Sequence, residues 1–179
     1  RCIMEKPTSY CEFVQNLCDD NLHKIYHDAH YGVAIYDDAS LFERLVLEIN
    51  QAGLSWDTIL KKQQNFKQAY DNFEIQKVAN YTEEQRQRLL SDAGIIRNQL
   101  KVDAAIYNAN VIWQLQKEYG SFRAWIDTHH PLEKKEWVKL FKKHFKFVGG
   151  EIVGEFLMSI GILQGAHIQS CPFYKRKGN

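Results

Sequence analysis

The chain holds 179 residues, 45% of them hydrophobic and 13% aromatic, a globular composition too apolar for a disordered chain. With 3 prolines and 10 glycines it excludes collagen-like and linker-rich architectures, and no apolar run approaches the roughly 20 residues that span a bilayer. The net charge of +1 hides an asymmetry: residues 1–60 carry 4 Lys/Arg against 10 Asp/Glu, and residues 61–179 carry 19 against 12. That distribution is compatible with a basic surface for a nucleic acid, and equally with solvated helix faces.

The elements read as helices throughout. From Asp38, taken as a cap, Leu41, Phe42, Leu45, Val46 and Ile49 follow the i, i+3, i+4 rule, and Gly53 ends the run. Ser55 caps a second helix with Trp56, Ile59, Leu60, Phe66 and Tyr70 on its face. A short helix lies around Ile75–Ala79. Thr82 and Gln85 form a capping box for a helix that ends with Leu89 and Leu90. After Gly94, Asn98 caps a long helix carrying Val102, Ala105, Ile106, Ala109, Ile112 and Leu115, stopped by Gly120. Ser121 opens a short helix, Pro131 starts one with Trp137, Leu140, Phe141 and Phe145, and a last helix runs from about Gly150 to Gly161. No period-2 stretch, internal repeat or low-complexity segment appears, so the fold class is all-α. The tail Lys175-Arg176-Lys177 is short and is expected to fray.

Five segments carry chemistry. Ser91-Asp92-Ala93-Gly94-Ile95-Ile96-Arg97-Asn98, between two helices, has the pattern of a helix-hairpin-helix, although many ordinary helix pairs also turn at Gly-Ile. Gly94 permits the turn, Ile95 and Ile96 anchor it, and the following helix start suits a phosphate without reading a base. Lys101, in the first turn, adds a point charge. Second, Glu48 stands on the flank of an apolar helix face, with Trp56 opening the next helix. A carboxylate beside aromatic rings suits a flat, cationic heterocycle; a surface glutamate and a core tryptophan fit the same spacing. Third and fourth, Tyr26-His27-Asp28 and His167-x3-Cys171, with an N-terminal cysteine, reach the four ligands of a tetrahedral zinc. The four cysteines Cys2, Cys11, Cys18 and Cys171 are too sparse for a disulfide scaffold, which leaves a metal site or plain thiols. Fifth, Lys142-Lys143-His144-Phe145-Lys146 offers a basic stripe that a solvated helix face also explains. Phosphate-loop, dinucleotide, His-Glu-x-x-His and Gly-x-Ser-x-Gly motifs are missing. No charged n-region and apolar h-region opens the chain, so no secretory leader is expected.

Gln51-Ala52-Gly53-Leu54-Ser55-Trp56, Tyr26-His27-Asp28, Tyr31-Gly32, Asp92-Ala93-Gly94-Ile95-Ile96-Arg97, Phe145-Lys146-Phe147-Val148-Gly149 and Ala166-His167-Ile168-Gln169-Ser170-Cys171-Pro172 together resemble the 3-methyladenine DNA glycosylase I family, in order, from about Cys11 to Cys171. The resemblance implies a helix-hairpin-helix glycosylase fold with a structural zinc, and hydrolytic release of 3-methyladenine from alkylated double-stranded DNA. It implies Glu48 as the acid that reads the base, Tyr26 and Trp56 as stacking rings, and Tyr31 and Phe13 as further pocket residues. Gly53 and Leu54 fall in the loop pushed toward the gap left by the flipped base. Gly94, Ile95, Arg97 and Lys101 fall at the phosphates. The zinc ligands would be His27, His167, Cys171 and Cys11, with Cys2 the competitor. Three features depart from the family's habit: 15 residues separate Cys11 from His27, Tyr31 and Phe13 stand where tryptophan is usual, and the Trp125–Phe145 interval is short. The expectation is a single domain over 1–179, with terminal segments 11–36 and 165–175 tied by zinc and a hairpin region at 82–118. It is expected to be monomeric, cytoplasmic and monofunctional, since no lysine is placed for a Schiff base. The alternatives are a DNA-binding relative without catalysis, or a glycosylase of another purine such as 3-methylguanine.

Overall fold

The computed structural model describes residues 6–174, and within them the secondary structure is helical with no strand. Cys2 and the Lys175-Arg176-Lys177 tail lie outside the described residues. None of the described helices is long and apolar enough to cross a membrane. The chain forms two compact units, one holding residues up to Ala34 and from Leu157 onward, the other Ile35–Phe156.

The terminal unit contains α1 (Tyr10–Gln15) and α2 (Leu22–Ala29), two short helices that the apolar pattern alone did not reveal. Side-chain caps start both: Ser9 accepts from the Glu12 N–H and Asn21 from the His23 N–H. The Gly32 N–H donates to the Ser159 carbonyl at 2.8 Å, joining the two chain segments of the unit. Gly32 has φ +77°, and a Cβ there would meet the Ala166 Cβ at 3.0 Å, so glycine is required on both counts.

The larger unit is built on α3 (Asp38–Gln51), whose residues from Leu41 to Asn50 are nearly all buried. Around it come α4 (Trp56–Lys61), α5 (Gln63–Ala69), α6 (Ile75–Ala79), α7 (Glu83–Ser91), α8 (Gln99–Tyr119), α9 (Phe122–His129), α10 (Lys134–His144) and the start of α11 (Gly150–Ser159). Two ring clusters fill the interior. Phe66, Tyr70 and Phe73 stack in sequence, with Phe42 edge-on to Phe73. Phe122, Trp125, Phe141, Phe145 and Phe156 form the other, with centroids 5.2 to 6.2 Å apart.

The caps at Ser55, Asn98 and Ser121 and the Thr82/Gln85 box form as the sequence suggests. Four details differ. Asp37, not Asp38, caps α3 by accepting from the Ser40 N–H at 2.9 Å. Asp38 instead accepts from the Phe122 and Arg123 N–H groups and from Gln116, so it caps α9 across the unit. The helix expected from Ser55 breaks at Lys62 into α4 and α5. Pro131 lies before α10, which starts at a Glu133/Glu136 capping box. Asp71, Asn72 and Phe73 form a left-handed turn, with φ 51°, 56° and 57°, that no glycine signals.

Candidate functional site

In the terminal unit, α1 carries Cys11, α2 carries His27 in its last turn, and the C-terminal segment carries His167 and Cys171. Their ligand atoms all lie within 4.8 Å of one another. His27 Nε2 is 3.1 Å from His167 Nδ1, 3.2 Å from the Cys11 sulfur and 3.8 Å from the Cys171 sulfur; His167 Nδ1 is 3.6 Å from both sulfurs. A tetrahedron with bonds of about 2.0–2.1 Å to nitrogen and about 2.3 Å to sulfur has N···S edges of about 3.5 Å and an N···N edge of about 3.3 Å. The four residues therefore fit a small tetrahedral cation.

The outer hydrogen bonds agree with this fit. The His167 Nε2–H donates to the Tyr31 carbonyl at 2.7 Å. The Asp28 carboxylate accepts from His27 Nδ1 at 2.7 Å. Each ring thus spends its proton outward, and the lone pairs of His27 Nε2 and His167 Nδ1 face each other in the cluster, an arrangement that a shared cation stabilises. The Ile168 N–H donates to the Cys11 sulfur at 3.4 Å, which suits a thiolate. Asp28 and the Tyr31 carbonyl are the supporting groups here. Asp28 adjoins His27 in sequence, whereas nothing local marks the carbonyl.

The same unit holds Tyr26, Tyr31 and Phe13. Tyr26 and Tyr31 are buried with ring centroids 5.7 Å apart, while Phe13 is partly exposed and meets the His23 ring edge-on at 5.2 Å.

In the larger unit, Glu48 is only 5% exposed on α3. Burial pushes its carboxyl up to about 8, the nearby Glu155 carboxylate adds to the rise, and the Arg44 guanidinium opposes it. At neutral pH the acid is mostly protonated. Arg44 stands four residues earlier on the same helix, a spacing legible in sequence; Glu155 lies far along the chain and has no local signal. Trp56 is the first residue of α4.

The hairpin takes the expected form. The Gly94 N–H donates to Asp92 Oδ1 at 2.8 Å, and a Cβ on Gly94 would lie 3.0 Å from that oxygen and 3.2 Å from the Asn65 amide. Arg97 is exposed. The Ile95 side chain is buried, and its N–H donates to the Asp92 carbonyl at 3.4 Å. Lys101, read from the sequence as a point charge for phosphate, turns its ammonium inward. Its ammonium is buried and donates to the Asn50 and Ala52 carbonyls at 2.8 and 2.7 Å, where the end of α3 leaves acceptors unused. Burial holds that ammonium below the usual lysine range. Gly53 turns the chain with φ +79°, and Leu54 stands 39% exposed after it.

Comparison with known proteins places this geometry among relatives. The family model for methyladenine glycosylase matches residues 16–138. DNA-3-methyladenine glycosylase 1 of Escherichia coli K12 is 34% identical over 174 residues, covering 87% of this chain and 92% of that protein. The DNA-3-methyladenine glycosylase of Haemophilus influenzae is 29% identical, covering 92% of this chain and 97% of that one. Among solved structures, 3-methyladenine DNA glycosylase I from Staphylococcus aureus, described for its recognition of 3-methyladenine, superposes with a TM-score of 0.79 at 31% identity, covering 90% of this chain and 95% of that one.

Proposed function

The chain belongs to the methyladenine glycosylase family, and from that premise we propose that it removes 3-methyladenine from alkylated DNA by hydrolysing the N-glycosidic bond. The observation that carries the reading is the buried acid Glu48, held in a low-dielectric position on α3 with Trp56 at the start of the next helix.

N3-methylation places a positive charge on the adenine ring. When the C1′–N9 bond breaks, its electron pair goes to the base, which leaves as neutral 3-methyladenine. Water adds to C1′ and loses a proton to solvent. The leaving group is already activated, so the enzyme's task is mainly recognition and exposure of the sugar carbon. A cation entering beside Glu48 favours the carboxylate over the acid, so binding releases the carboxyl proton and creates the ion pair in place. Hydrogen bonds to a charged group contribute about 1.5–3 kcal/mol and distinguish this base from neutral adenine. Stacking on rings such as Trp56 contributes about 1–3 kcal/mol per base but accepts any base. The carboxylate therefore sets selectivity. The family resemblance assigns Tyr26, Tyr31 and Phe13 to base binding as well.

On the DNA side, the hairpin at Gly94 and the first turn of α8, with exposed Arg97, suit backbone phosphates. Gly53 and Leu54 suit the gap that a flipped base leaves. The metal at Cys11, His27, His167 and Cys171 is zinc in this reading. When bound it supplies structural cross-linking of the terminal unit and takes no part in the reaction. The enzyme acts as a cytoplasmic monomer on double-stranded DNA.

The test is a base-release assay on methylated duplex DNA, with 3-methyladenine, 3-methylguanine and 7-methylguanine scored side by side. Wild type is expected to release 3-methyladenine, and Glu48→Gln to lose about a hundredfold or more in rate while staying folded. Tight DNA binding with no base released would leave a DNA-binding relative; preferential 3-methylguanine release would change the lesion.

A further inference from the structure

Lys101 is the most buried lysine or arginine among the described residues: it is 5% exposed, with its head bonded to two main-chain carbonyls. Both acceptors belong to the exit of α3. The Asn50 carbonyl is in the last turn, and Ala52 is the residue where the backbone leaves the helix, with ψ 120°. Next come Gly53 and Leu54. The Leu54 N–H returns to the Gln51 carbonyl at 2.8 Å, and the Gln51 side-chain amide donates to the Leu54 carbonyl at 3.2 Å. The tip itself is open, since a Cβ on Gly53 would touch nothing within 4 Å. The loop is therefore held by the two Leu54–Gln51 bonds within it and, at its base, by the Lys101 ammonium on the Asn50 and Ala52 carbonyls.

The other end of Lys101 is tied as well. Its backbone N–H donates to the Asn98 side chain at 3.1 Å, the cap that closes the hairpin and opens α8. One residue thus joins the hairpin to the Gly53–Leu54 loop, through an N–H at one end and an ammonium at the other.

We propose that Lys101 is a positioning residue that locks the Gly53–Leu54 loop to the hairpin, so that the loop enters the duplex as a rigid extension of the phosphate-binding surface. The inference rests on the glycosylase reading above. Flipping costs a few kcal/mol of lost stacking and pairing, which a wedge must offset. A loop free to swing dissipates that support; a loop braced on the element that grips the backbone transmits it. The ammonium faces protein carbonyls rather than phosphate, so Lys101 acts through Leu54 and not by touching DNA.

The experiment compares wild type with Lys101→Met, an unbranched side chain of similar length that lacks the donors; Lys101→Gln replaces it should the first variant not fold. Four quantities are measured: excision from fully paired methylated duplex, affinity for free 3-methyladenine, the salt dependence of DNA binding, and amide exchange at Gly53 and Leu54 without DNA. The expected result is duplex excision reduced about tenfold or more, free-base affinity within about twofold of wild type, an unchanged salt slope, and faster exchange confined to the loop. Wild-type excision by the variant overturns the proposal. An equal loss of free-base affinity also does so, because it reports general damage. So does a salt slope lowered by about one, because it reports a lost phosphate contact. Base release by wild type tests the glycosylase reading separately, and the exchange measurement tests the brace even if wild type is inactive.

Discussion

The two units of the molecule are held by different physics. The larger one has a conventional interior of nine rings in two clusters and a nearly buried α3. The terminal one has little such material: among its described residues, Val14, Tyr26, Tyr31, Gly32, Leu157, Ser159 and Ile160 are buried besides Cys11, His27 and Cys171. Its helices have six and eight residues, too short to persist alone. If the Cys11/His27/His167/Cys171 group holds the proposed metal, ligand bonds do for that unit what apolar burial does for the other.

The largest expected effect separates them directly. Cys11→Ser, or chelation of the wild type, removes an interaction that contributes on the order of 10 kcal/mol in small zinc-bound peptides. Elemental analysis should show loss of the metal. Limited proteolysis should open the chain before Ala34 and after Leu157 while the larger unit survives. A full metal equivalent in the variant with an unchanged digestion pattern would remove Cys11 from the ligand set.

Next comes the pH dependence of stability, which belongs to the larger unit. Glu48 binds its proton up to about pH 8 in the folded chain but only up to its ordinary 4.5 when exposed. The folded state holds more protons between these values, so this carboxyl lowers stability progressively as pH rises from 4.5 toward 8. Glu48→Gln lacks that proton. Its advantage over wild type should be small near pH 4, grow across the interval and level off above it. The measurement is the difference in Tm, at about 2–4 °C per kcal/mol for a chain of this size. A constant difference across pH would mean that Glu48 is not buried as an acid. The same variant is expected to lose base release, so stability and activity should move in opposite directions at one residue, as where function requires a buried charge.

The smallest effect sharpens the contrast within the larger unit. Gly94→Ala places a methyl 3.0 Å from Asp92 Oδ1 and 3.2 Å from Asn65, so the hairpin must shift. A loss of about 1 kcal/mol in stability is expected, together with weaker duplex binding and unchanged affinity for free 3-methyladenine. Equal weakening of both would tie the hairpin to the base site rather than to phosphate.

Much of this was legible in the amino-acid sequence, for reasons that differ by residue. Asn98, Ser55, Ser121 and the Thr82/Gln85 pair cap helices through bonds that span three residues, so neighbours in the chain are neighbours in space. His167 and Cys171 are four apart and converge for the same reason. The periodicity of α3 and α8 reported which faces are buried, although it mistook Asp38 for the cap of α3. Asp37 and Asp38 stand side by side at the start of that helix, and α9 packs so that its first N–H groups meet Asp38, leaving Asp37 as the cap.

Sequence alone therefore determined most helices of the larger unit and several of their caps, because local hydrogen bonding and apolar spacing decide them; for Glu48 and Cys11 the spacing left alternatives that only the family resemblance narrowed. Only the tertiary structure decided what Lys101, Asp38 and Glu155 do. A lysine in a first helical turn reads as a cation for solvent or phosphate; whether it turns inward depends on two carbonyls left bare some fifty residues earlier in the chain. Long-range placement of charge is fixed by which elements come to rest together, and no local pattern encodes that.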